Sequence, residues 1–181
     1  IYAAVIDERL PEGTAQSFDM MEKVEEDDII IYHLSTGHEL NQKLKSLGGR
    51  KIILYHNITP EKYFQKYNHG AYLNCRNGLR ARELAPVAEF AIADAEYNKQ
   101  DLIRYGYTCD IKVLPILIPF EDYEKKPNQK VINKYGDDGY VNILFTGRVV
   151  PNKKQEDIID AFYYYKKFIN PKSRLILVGS Y

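Results

Sequence analysis

Short, nearly uninterrupted apolar runs recur along this chain, with helically spaced stretches between them, and no other feature narrows the fold as much. The runs Tyr2–Ile6, Ile29–His33, Lys51–His56, Phe90–Ala93, Ile111–Leu114, Val141–Phe145 and Leu175–Val178 have strand length and are rich in Ile, Leu and Val. Runs without polar alternation are expected of strands buried on both faces of a parallel sheet. Helices are predicted over Glu39–Leu47, stopped by Gly48-Gly49, and over Ala71–Ala88. Two more are predicted over Glu96–Tyr105, stopped by Gly106, and over Gln155–Ile169, stopped by Asn170-Pro171. Strand–helix alternation with short connections gives parallel βαβ units, hence an α/β doubly wound, Rossmann-like sheet flanked by helices.

The 181 residues suffice for one substantial core, or for one domain and part of a second. A break in character falls at Phe120–Tyr140, a polar, charged stretch holding Pro127, Gly136 and Gly139. It reads as an interdomain connection with a short helix at Gln129–Tyr135. Residues 1–119 then form a first Rossmann-like domain lacking its first elements, 120–140 a linker, and 141–181 the start of a second, truncated α/β domain. Both ends run through strand-like sequence, so the chain reads as a piece of a longer protein. The acidic run Glu22–Asp28 reads as a solvated face.

Twenty-five basic residues balance 25 acidic ones, so no charge excess points to nucleic acid. Cys75 and Cys109 stand far apart and outside any metal or redox motif; both read as core residues in a reducing, cytoplasmic setting. No apolar run reaches the roughly 20 residues needed to span a bilayer. There is no G-x-G-x-x-G, no P-loop, no Asp-x-Asp and no His/Cys cluster, so neither a classical dinucleotide site nor a dedicated metal site is expected.

Ligands of open parallel sheets bind outside the carboxyl ends of the strands. Those ends read His33-Leu-Ser-Thr-Gly37, His56-Asn57-Ile-Thr-Pro60, Thr146-Gly147-Arg148 and Gly179-Ser180. Ser35, Thr36 and Ser180 fit ordinary turn and capping chemistry. His56 and its neighbour-strand analogue His33 can exchange protons near neutral pH, or can be satisfied core histidines. His38 and His69 read as surface residues. Near the start of the last helix, Glu156 and Asp157 suit the positive helix end, but Lys153 and Lys154 each cost a few tenths of a kcal/mol there. With Arg148, they describe either a pyrophosphate site or solvated cations.

At these residues the sequence resembles a known family. NILFTGRVVPNKKQEDIIDAF (Asn142–Phe162), followed by LILVGS, resembles the start of the donor domain in family 4 (group 1) glycosyltransferases, two-domain enzymes of the GT-B fold. LYHNITP (Leu54–Pro60), AIADAEYNKQDLIRYGY (Ala91–Tyr107) and VLPILIPF (Val113–Phe120) resemble acceptor-domain segments of that family, in the same order. The resemblance implies sugar transfer with retention, from a nucleotide-sugar donor to a glycan or lipid-linked acceptor, as in polysaccharide biosynthesis. It implies a cytoplasmic enzyme, at the inner face of the membrane where the acceptor is lipid-linked, that uses no metal and no further cofactor. Arg148 and Lys153, with Lys154, would hold the donor diphosphate, and Gly147 would allow its close approach. His56 would sit by the transferred sugar, with His33 and Asn57 on the acceptor side. Ala95 stands where that family often has Ser, and Lys154 where Gly is common. The family's paired glutamates would lie beyond Tyr181, so these 181 residues are expected to be inactive alone. Two alternatives keep the diphosphate site or its glycan relative: a GT-B-like sugar-nucleotide epimerase, and a non-catalytic sugar-nucleotide or glycan-binding module.

Overall fold

The computed structural model describes residues 1–21 and 23–180; Glu22, at the head of the acidic run, and Tyr181, the last residue of the expected second domain, lie outside the described residues. In chain order the elements are β1 (Tyr2–Ala3), β2 (Gln16–Ser17), β3 (Ile29–Leu34), α1 (Leu40–Ser46), β4 (Arg50–Tyr55), α2 (His69–Gly78), β5 (Phe90–Ala93), α3 (Glu96–Arg104), β6 (Asp110–Val113), α4 (Gln129–Tyr135), β7 (Val141–Thr146), α5 (Gln155–Phe168) and β8 (Ser173–Val178). They fall into two compact units, Ile1–His56 with Ala81–Leu114, and Asn57–Arg80 with Pro115–Tyr181.

The first unit is built on an all-parallel sheet whose spatial order, β3-β4-β5-β6, is also its order in sequence. This is the α/β parallel architecture expected from the apolar runs. The burial of those runs is different from expectation. Across the ladder, Tyr32 stands beside Ile53, Ala91 and Ile111, and Leu34 beside Tyr55 and Ala93. This face is the core: Leu34, Ile53, Tyr55, Ala91 and Ala93 have no exposed surface, and Leu44, Leu84 and Leu102 are buried with them. On the other face Ile29 and Ile31 are each 58% exposed, and Ile52, Leu54, Phe90 and Ile92 are only half-buried. The topology supplies the reason. Strands laid down in consecutive order, each joined to the next by a right-handed crossover, receive their connections on one face only. A sheet wound both ways from its middle would be covered on both.

Two further predictions change. The first apolar run forms a strand only at Tyr2–Ala3, because its partner β2 leads at once into a 3-10 turn at Phe18–Met20 and leaves Val5 and Ile6 exposed. The helix predicted over Ala71–Ala88 is α-helical only as far as Gly78; it continues as a 3-10 segment, Leu79–Val87, holding Pro86. Pro86 lacks the N–H an α-helix needs. Ala81 and Leu84 anchor that segment in the core, and the Tyr107 hydroxyl donates to the Ala81 carbonyl at 3.0 Å. Lys51, though buried, donates from Nζ to the carbonyls of Gly48 (3.1 Å) and Gly49 (2.9 Å), closing the α1–β4 turn.

In the second unit Asn68 caps α2, its side chain accepting from the Ala71 N–H at 2.9 Å, and Asn128 caps α4 in the same way. β7 and β8 pair in parallel from Val141↔Ser173 to Thr146↔Val178, with α5 as the crossover. Arg174 lies over the rings of Tyr135 and Tyr140 and is paired with Asp138, which ties α4 to the strands. Among the described residues no helix is long and apolar enough to cross a membrane.

Candidate functional site

Three adjacent strands of the first unit deliver three titratable side chains to one point. His33 is the penultimate residue of β3, His56 directly follows β4, and Asp94 directly follows β5. In a parallel sheet all three ends lie on the same edge. His56 Nδ1 is 2.9 Å from Asp94 Oδ2, and His56 Nε2 is 2.9 Å from His33 Nδ1. The ring centroids of the two histidines are 5.1 Å apart with planes 26° from parallel, so the rings meet edge to edge along the N···N line. Exposure increases along the chain of bonds: the Asp94 side chain is 13% exposed, that of His56 28%, and His33 is an exposed residue.

The carboxylate decides the tautomers. Asp94, ionised, can only accept, so His56 carries its proton on Nδ1. His56 Nε2 is then an acceptor, and His33 must donate to it from Nδ1. The lone pair of His33 Nε2 is left without a hydrogen-bond partner among the described residues, on a residue that is exposed. Burial, and then the neighbouring His56, hold His33 below the ordinary histidine value of 6.5, opposed by the Asp94 charge. His33 is therefore a neutral base at neutral pH. Tyr32, one residue before it, faces the core and donates its hydroxyl to Asn41 Oδ1; burial pushes its phenol up to about 12.

Asn57 follows His56 with φ 69°, in the left-handed region that Asn tolerates better than most side chains, and its Oδ1 accepts from the Ile58 N–H at 2.6 Å. This turn follows directly on His56.

The second unit holds the cations. Gly147 donates its N–H to the Val178 carbonyl at 2.9 Å, and Val149 donates to Ser180 at 2.8 Å, so the loops after β7 and β8 run side by side. A β-carbon on Gly179 would fall on the carbonyl oxygen of Gly147, whereas one on Gly147 would merely rest on the Phe145 ring at 3.4 Å. The close approach made here is of backbone to backbone. Gln155 Nε2 donates to the Arg148 carbonyl at 2.8 Å, fixing the loop to the first turn of α5.

The lysine pair divides. Lys154, at φ 53° before α5, lies 3.4 Å from Glu156 and 3.6 Å from Asp157. Asp157 first, then Glu156, raises its pKa. Its charge is answered within the helix start. Arg148 and Lys153 are both exposed, and neither has a carboxylate within ion-pair distance among the described residues. Lys153 also lines, with Ile143, Ile158, Phe162 and Leu175, a mostly apolar groove of about 490 Å³ between α5 and the strands.

Of the residues singled out in the sequence, His33 and His56 are brought together, Asn57 flanks them, and Gly147, Arg148, Lys153 and Lys154 share the β7–α5 loop. Asp94 was missed. Ile92-Ala93-Asp94 ends an apolar run, so the strand-end rule that picks His33 and His56 picks Asp94 too once applied to β5. Comparison of the chain with models of known protein families and with curated proteins finds no match.

Proposed function

We propose that the protein is a glycosyltransferase of the GT-B type that moves a sugar from a nucleotide-sugar donor to a hydroxyl of a glycan or lipid-linked acceptor. The observation that supports this most is the pair of cations at the carboxyl end of β7, Arg148 and Lys153, neither of which has a carboxylate partner among the described residues. Oxygens of a diphosphate are natural ligands for an Arg fork and a Lys ammonium. Two cations held by a glycine-tight loop also stabilise charge as it develops on a leaving nucleoside diphosphate. Lys154 contributes less, because Glu156 and Asp157 already neutralise it. The histidine cluster of the first unit suits a hydroxyl.

The test uses the full-length protein and a panel of UDP- and GDP-sugars, reading release of nucleoside diphosphate. Wild type should turn over at least one donor, and Arg148→Ala with Lys153→Ala should reduce the rate by about 10²-fold or more. Undiminished release in the double variant overturns the diphosphate assignment. A different free sugar nucleotide formed without an acceptor would assign an epimerase instead, and glycan binding with no turnover would assign a binding module.

A further inference from the structure

We propose that Asp94, His56 and His33 form a proton relay whose outer end, His33 Nε2, is the group that meets and deprotonates an acceptor hydroxyl. The proposal rests on the transferase reading for the identity of the hydroxyl; the relay itself stands on the cluster's geometry. His56 is the middle member. Both of its ring nitrogens are committed, one to Asp94 and one to His33, each at 2.9 Å. It has no lone pair and no N–H left for a ligand. Among the described residues His33 hydrogen-bonds only through Nδ1, and it is exposed.

Charge selects the ligand class. The titratable groups that act on His33 are His56, just after β4, and Asp94, just after β5. With both rings neutral the cluster carries the single negative charge of Asp94. That repels phosphate or carboxylate and suits a neutral alcohol whose proton can be accepted. His33 is also kept neutral below the pH at which a free histidine would be, which keeps Nε2 available.

The step balances within the relay. The hydroxyl proton passes to His33 Nε2, and the proton on His33 Nδ1 passes to His56 Nε2. His56 becomes an imidazolium held against the Asp94 carboxylate, where the positive charge is best placed. The alcohol oxygen forms the new bond to the anomeric carbon on the face from which the donor's diphosphate departs, so configuration is kept, and the electrons of the broken bond leave on the diphosphate. The leaving group then has no need to take the proton. His33 is the catalytic residue; His56 and Asp94 are positioning residues.

Nitrogen-15 NMR of the imidazoles in the full-length protein tests the relay independently of any sugar chemistry. At pH 7.5 both His33 and His56 should be protonated on Nδ1. On acidification His33 should titrate below the ordinary histidine value of 6.5. Asp94→Asn removes the charge that raises His33, so its titration should move to lower pH. An Nε2–H tautomer at His33, or a titration unchanged by Asp94→Asn, overturns the relay. Donor hydrolysis with water as acceptor, across the same UDP- and GDP-sugars, tests the base role. His33→Ala should lower kcat by about 10²–10⁴-fold with little change in the donor KM. His33→Gln, which keeps a polar side chain but no base, should fall as far. Asp94→Asn should move the acid limb of the rate profile to lower pH. Wild-type rates in His33→Ala alongside the expected NMR overturn the base role. Expected NMR in a protein that turns over no donor supports the relay and sinks the transferase reading instead.

Discussion

His33 couples the site to the stability of the fold. Its folded pKa lies below the unfolded value of 6.5 because burial and His56 disfavour its charged form. As pH falls through 6.5 the unfolded chain binds this proton before the native chain does. The stabilising contribution is therefore complete above pH 6.5 and is lost as pH falls through the lower, folded value. Wild type should lose Tm between pH 7.5 and pH 5, and His33→Gln should lose less over the same interval in a thermal melt. Equal losses would mean that His33 is not depressed in the native state. Residues of this kind were legible in sequence as single letters at strand ends. Their partnership was not, since the spacings from His33 to His56 and from His56 to Asp94 follow helix and loop lengths rather than any motif. Only the parallel register brings them together.

Among the elements, the β7–α5–β8 loop pair is the most exacting. Gly179 passes so close to the Gly147 carbonyl that no β-carbon fits, and the Gly147 and Val149 amides depend on that approach for their partners Val178 and Ser180. Gly179→Ala should destabilise this unit by about 1–3 kcal/mol, the usual cost of overpacking. It should expose the Gly147 and Val149 amides to rapid hydrogen exchange while leaving those of β3–β6 protected. Unchanged protection at Gly147 would show that the loops can part at no cost. Sequence patterns located these strands and α5 within two residues, because a buried strand and a Gly- or Pro-terminated helix write themselves locally. They misread residues 79–88. The helical spacing there persists, but Pro86 and the burial of Ala81 and Leu84 convert the segment to 3-10 geometry, and the Tyr107 hydroxyl takes up one of its carbonyls.

For the whole molecule the decisive number is the balance of 25 cations against 25 anions, with a pI near 7.1. A chain without net charge has little long-range repulsion between copies. It also leaves Ile29 and Ile31 largely exposed on one sheet face. Solubility should pass through a minimum near pH 7 and recover on either side, as turbidity across a pH series will read. A solubility that rises steadily through pH 7 would contradict this. The one-sided sheet was beyond the sequence for a definite reason. Apolar runs report that a strand is hydrophobic on both faces, but only the order of strands decides how many faces the chain itself can cover.

The committed nitrogens of His56 have one more consequence. An electrophile approaching this cluster, whether an acylating reagent or an inhibitor warhead, finds no nucleophile at the residue the sequence puts forward. The reactive atom is one strand further out, at His33, and labelling chemistry aimed at the cluster will mark β3.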